Sequence, residues 1–143
     1  MIYLDYAASA PLRPEVARRF AELQESHWAN PSSLHLAGAR AREVLEEARR
    51  FLQGTLGGGR ALFTSGATEG NNTVIQGLLR GGAPGRALAP ATAHASILEP
   101  LELMERQGRE VELLPVDGTG RIRLEALARA LSGEPRLLCL QLA

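Results

Sequence analysis

Thr64, Ser65, Gly66, Ala67, Thr68 and Glu69 follow the apolar run Ala61-Leu62-Phe63 and lead into a helical pattern, a layout able to cradle a phosphate. A helix leaves its first amide N–H groups without intrahelical partners and carries partial positive charge there, so an anion at that end is stabilised. Gly66 lets a ligand approach the backbone, Ala67 leaves its N–H open, and Thr68 adds a hydroxyl donor. An ordinary turn, with Thr64 or Ser65 as cap and Glu69 favouring the dipole, accounts for the same residues. Spacing alone weighs the two evenly. Neither G-x-G-x-x-G after the strand nor G-x-x-x-x-G-K-[ST] anywhere is present, so the familiar nucleotide loops do not fit.

The other residues with chemical reach are few. His94 stands just before a helical pattern, a place that taken alone suits a capping or surface histidine. His35 reads as structural, His27 as a loop residue and Trp28 as a packing or interface aromatic. Cys139 is the sole cysteine, which excludes an internal disulfide and a cysteine-rich metal site. Its apolar surroundings predict an inert thiol with a raised pKa. All 16 basic residues are arginine, so the chain holds no lysine side chain. They balance 16 acids and alternate with them, as in Glu46-Glu47-Ala48-Arg49-Arg50, which describes a solvated helix face and disfavours nucleic acid as a partner. No apolar run approaches membrane-spanning length and no basic leader precedes an apolar stretch, so a cytoplasmic protein without a membrane partner is expected.

The elements that must position these residues follow from periodicity and punctuation. Ile2 to Ala8 reads as a short extended segment, and Pro11 and Pro14 open a helix from about Glu15 to Ser26. A longer helix from about Leu34 to Leu56 carries the stripe Leu34, Ala37, Ala41, Val44 or Leu45, Ala48 and Leu52. Gly57-Gly58-Gly59 stops it. Strand 60–64, helix 68–80 and the linker 81–85 come next. Strand 86–90 leads to His94, and helix 95–107 ends at Gly108, where glycine suits a left-handed cap. An apolar, buried strand 110–116, a helix 124–131 and a last strand 136–143 complete the order. Strands alternating with helices predict an α/β fold with a mostly parallel sheet flanked by helices. Leu137 to Leu142 is apolar enough for a strand covered on both faces in mid-sheet, so further structure is expected to cover it.

Tyr3-Leu4-Asp5-Tyr6-Ala7-Ala8, Asn30-Pro31-Ser32-Ser33-Leu34-His35, Phe63-Thr64-Ser65-Gly66-Ala67-Thr68-Glu69 and Thr92-Ala93-His94 together resemble the N-terminal portion of cysteine desulfurases, pyridoxal-phosphate enzymes of the class V aminotransferase group. The four motifs stand in the family's order and span the chain. The resemblance implies the N-terminal part of a fold-type I large domain over 15–143, with 1–14 as an extended segment that packs on a small domain. It implies that Gly66, Ala67 and Thr68 bind the cofactor phosphate, and that His94 stacks on the pyridine ring and assists proton transfer. It further implies L-cysteine as substrate, a sulfur-acceptor protein as partner, iron-sulfur assembly as a destination, and a homodimer. No metal ligand is implied. The lysine that holds the cofactor and the cysteine that accepts sulfur are expected beyond Ala143, so the chain alone is expected to be inactive. Selenocysteine lyase, another class V aminotransferase and a non-catalytic fragment are the competing readings.

Overall fold

The computed structural model describes residues 2–81 and 85–141. The described chain forms two compact units, Met1–Leu62 and Phe63–Ala143.

The first unit is helical. Pro14 at the first turn, with its preset φ and missing N–H, opens α1 (Pro14–Ser26), and the His27 amide closes it on the Leu23 carbonyl at 2.8 Å. His35 caps α2 (Leu36–Thr55), its Nδ1 accepting the Gly38 amide at 3.2 Å, so the structural role expected of this histidine is met. Gly57, Gly58 and Gly59 all have positive φ, which a chain with side chains resists, and α2 stops there as the glycine run predicts. The Arg49 guanidinium donates to the Ala61 carbonyl and fastens the departing chain to α2.

Three expectations change in this unit. The segment 2–8 is not extended throughout: residues 6–8 turn, with the Asp5 carbonyl accepting the amides of Ala8 and Ser9. The α2 stripe is only part-buried. Ala41 is buried and Ala37, Val44 and Leu45 are intermediate, but Leu34, Ala48 and Leu52 are exposed, because no other element of this unit covers that length of helix. Trp28 is 75% exposed, which removes a packing role within its own unit.

The second unit carries the sheet. Its elements are α3 (Ala67–Arg80), β1 (Ala87–Pro90), α4 (Ala95–Arg106), β2 (Val111–Leu114), α5 (Leu124–Leu131) and β3 (Leu137–Leu138), with strand order β2-β1-β3. Both pairings are parallel: Ala87 faces Val111 on one side and Leu137 on the other. Alternation along β1 divides its buried side chains between two faces. Ala87 and Ala89 pack with Ile75 of α3 and with Leu101 and Met104 of α4, whereas Leu88 packs with Leu114 and with Ala130 of α5. Alanines on the first face let the two helices approach the sheet. Arg86 locks the strand's entry by donating to Glu112 at 2.7 Å and to the Ala130 carbonyl at 2.5 Å. Gly108 takes the left-handed φ of +78° expected at the end of α4.

The α/β fold with a parallel sheet flanked by helices is therefore present, with shorter strands than the apolar runs predict. Residues 60–64 form no strand, since a strand exists only as part of a ladder and they find no ladder partner among the described residues. β2 keeps four residues and buries only Leu114 fully, with Leu113 half exposed. β3 pairs through two residues, its direction carried on by the Cys139 amide donating to Leu88 at 2.9 Å. It stands at an edge of the described sheet rather than in its middle. The expected linker residues Gly82 to Pro84 and strand residues Leu142 and Ala143 lie outside the described residues.

Candidate functional site

In an open parallel sheet the strand ends leave a crevice beyond their carboxyl edge, where helix N-termini converge. β1 ends at Pro90, whose carbonyl accepts the Ala93 amide at 3.0 Å, and this turn delivers His94 to the cap position of α4. His94 Nδ1 accepts the Ser96 amide at 3.1 Å and lies 2.9 Å from the Ser96 hydroxyl. That hydroxyl accepts the side-chain N–H of Asn71, on α3, at 3.0 Å. The first turns of α3 and α4 thus meet at one end of the sheet. The exposed start of α3 and the exposed His94 share the carboxyl edge.

At that start the carbonyl of Gly66 accepts the Gly70 amide at 3.1 Å, which makes Gly66 the cap residue, and the Thr64 hydroxyl donates to the same carbonyl at 3.0 Å. Glu69 reaches back to accept the Ser65 amide at 2.6 Å. This is the reciprocal half of a capping box moved one residue outward. It takes Ser65 out of any set of anion donors and leaves the amides of Ala67 and Thr68 as the first of the helix. Space above the turn is open: a side chain at Gly66 would meet nothing within 4 Å. Thr68 is exposed, and its hydroxyl has no hydrogen bond among the described residues. An exposed hydroxyl donor, two helix-start amides and open space are the donor set a phosphate monoester needs, so these residues fit the phosphate of pyridoxal phosphate.

The Ser65 amide first, and the Ser65 hydroxyl second, hold the Glu69 carboxyl below the ordinary glutamate value, against a smaller opposing effect of desolvation. A carboxyl whose pKa is depressed by folding contributes stability that is complete above its unfolded value and is lost as pH falls through the lower folded value. The Glu69 carboxyl carbon and the Ser65 amide will therefore titrate together in NMR, on the acid side of ordinary glutamates. Independent titration at an ordinary value would show that the bond is not formed.

Cys139 is part-buried and desolvation raises its pKa, the direction expected of an inert thiol. On the other flank of the same edge, Thr92, Arg121, Leu124 and Gln141 line an open cleft of about 470 Å³. Among the described residues no group of His, Cys, Asp and Glu is placed to hold a metal, and no helix is long and apolar enough to cross a membrane.

Gly66, Ala67, Thr68 and His94 are thus held by one helix pair. Sequence reasoning missed Ser96 and Asn71, which join them. Their bond spans 25 positions, and no local pattern marks it.

The aminotransferase class V family model matches residues 2–143. The chain is 37% identical over 145 residues to cysteine desulfurase IscS 1 of Archaeoglobus fulgidus, covering 99% of this chain and 38% of that protein. It is 34% identical over 165 residues to a selenocysteine lyase of Bos taurus, with 99% of this chain and 38% of the relative covered. Among solved structures, one described as SspA in complex with cysteine superposes with a TM-score of 0.79 at 31% identity, over 90% of this chain and 38% of the other. The chain spans somewhat more than a third of the length of the relatives it matches.

Proposed function

The chain belongs to the class V aminotransferase family, and on that premise we propose that it supplies the phosphate-binding helix and the ring-facing histidine of a pyridoxal-phosphate-dependent cysteine desulfurase. The single observation that carries this reading is the joining of the α3 start to His94 through Asn71 and Ser96 at the carboxyl edge of the sheet.

Each residue has a physical task. The amides of Ala67 and Thr68, with the Thr68 hydroxyl, bind the phosphate in the field of the α3 N-terminus. Gly66 keeps the approach clear. His94 would meet the pyridine ring, and with Nδ1 engaged its Nε2 would be the atom to hold or pass a proton. When bound, pyridoxal phosphate draws electrons from the substrate's α-carbon. In the reaction proposed, sulfur would leave L-cysteine for a protein thiolate as a persulfide and the substrate carbon would take a proton to give alanine. The amine that holds the cofactor and the accepting thiolate belong, in this proposal, to the rest of the protein, since the chain has no lysine and Cys139 is unsuited. L-Cysteine is the favoured substrate because the relative in Archaeoglobus fulgidus is named a cysteine desulfurase and SspA is described with cysteine. A homodimer, a sulfur-acceptor protein, a link to iron-sulfur assembly and a cytoplasmic setting belong to the same proposal, as does the division into 1–14 and 15–143.

The matching selenocysteine lyase supports a second reading, in which selenium is removed instead. The test is to express the full reading frame that carries this chain, load it with pyridoxal phosphate, and give it L-cysteine or L-selenocysteine with a thiol reductant. Alanine and sulfide in equal amounts from cysteine are expected. Turnover of selenocysteine alone would select the second reading, and alanine from neither would end both.

A further inference from the structure

His94 is one of two histidines whose side chains cap a helix N-terminus among the described residues, and the two caps differ. His35 accepts the Gly38 amide. His94 accepts the Ser96 amide and also meets the Ser96 hydroxyl, which is in turn held by Asn71. Ser96 is only 7% exposed, and its buried hydroxyl stands outside both hydrophobic clusters, so its hydrogen bonds must offset the cost of burying it.

We propose that Asn71 and Ser96 are positioning residues for His94, setting the tautomer and the tilt of its ring through a one-way chain of hydrogen bonds. The proposal rests on the pyridoxal-phosphate reading above, which it deepens.

The direction of the chain follows from what each group can donate. The Asn71 amide nitrogen only donates, so the Ser96 oxygen accepts. The Ser96 proton must then point elsewhere, and His94 Nδ1 lies 2.9 Å away. Nδ1 already receives the backbone N–H of Ser96, so it cannot itself carry a proton in this arrangement. The neutral ring therefore bears its proton on Nε2. Two donors that share one backbone attachment converge on a single ring atom, which restricts rotation of the imidazole about its own axis as well as choosing the tautomer. A simple cap needs only the amide. The additional hydroxyl, aimed by an asparagine from another helix, brings a second donor to the same Nδ1, which strengthens the tautomer preference the amide sets and fixes the tilt of the ring. Because Asn71 lies one turn beyond Thr68 on α3, the helix proposed to take the phosphate also orients the ring proposed to meet the pyridine.

The test uses the isotope-labelled holoenzyme and two variants, Ser96→Ala and Asn71→Asp. The first removes the hydroxyl. The second replaces a donor by a group that accepts only, so the Ser96 proton is drawn back toward α3. At about pH 9, above the ordinary histidine range, nitrogen NMR of the wild type is expected to show His94 as the Nε2-protonated tautomer. In either variant the tautomer ratio should fall about fivefold, the value of one hydrogen bond. His35 is the internal control and should not change. The circular dichroism of the bound cofactor should also change in both variants. If Ser96→Ala does not fold, Asn71→Asp decides alone, since Asn71 is only part-buried. An Nδ1-protonated His94 in the wild type, or an unchanged ratio in the variants, overturns the proposal. Failure of the wild type to bind pyridoxal phosphate is read separately, from the absence of any cofactor band, and removes the functional reading while the tautomer measurement still decides the relay.

Discussion

Replacing Ala67 with proline is expected to weaken pyridoxal phosphate binding by about 10- to 100-fold, the range for losing a hydrogen bond to a charged group, with little change in thermal stability. Proline usually damages a helix by removing an N–H and by clashing with the preceding turn. Ala67 is the first residue of α3, where neither penalty applies, because its N–H has no intrahelical acceptor and proline's fixed φ suits the position. The substitution therefore deletes one amide donor and little else. Gly66 before it tolerates the restriction that proline places on its neighbour. Ala67→Gly, which keeps the N–H, should bind nearly as the wild type does, and Thr68→Ala should lose about fivefold through its hydroxyl. Equilibrium titration with the cofactor, alongside thermal unfolding, separates the three. Undiminished affinity in Ala67→Pro would remove the α3 start from the phosphate site.

The largest stability effect is expected at Ile75. Its side chain is 1% exposed and joins α3 to Ala87 and Ala89 of the central strand and to Leu101 and Met104 of α4. Ile75→Ala should cost about 2–5 kcal/mol, since truncation removes buried methyl groups and leaves a cavity that a sheet and two helices cannot easily close. Chemical denaturation will measure the loss as a lower midpoint. The same residue seats the helix whose first turn is proposed to hold the phosphate. Ile75→Ala should accordingly loosen the Asn71–Ser96 bond and weaken cofactor affinity even under conditions where the protein stays folded. Val74→Ala, the neighbouring position, is 56% exposed and provides the control, with an expected effect below about 0.5 kcal/mol. Comparable losses at the two positions would show that α3 is not anchored through Ile75.

Sequence and structure agree most closely where the cause is local. The helix start lies within one residue of its expected place, although Gly66 rather than Thr64 or Ser65 is the cap, because the Gly66 carbonyl is the one that accepts the first helical amide; the stops at Gly57 and Gly108 follow from conformations that glycine adopts freely. His94 at a cap was likewise readable from its place before a helical pattern. Agreement fails where a residue's state depends on what lies against it. Leu34 and Leu52 have the spacing of a core stripe yet remain exposed, since periodicity specifies a face without supplying its cover. Residues 60–64 and Leu140 have the composition of strands but no ladder among the described residues, because strand pairing is an agreement between two segments.

The amino-acid sequence by itself determined the alternation of strands and helices, the small-residue turn at Gly66-Ala67-Thr68, the want of a lysine and the family to which the chain belongs. Those properties reside in residue types and short spacings, which survive without knowledge of the fold. Only the tertiary structure decided that β1 is central, that α3 and α4 share a face of the sheet, and that Asn71 and Ser96 join the first turn of α3 to His94. The physical reason is that a hydrogen bond or a packed face requires two partners in register, and for these pairs the partners meet only after the crossovers through α4 and α5 have folded the chain back beside itself.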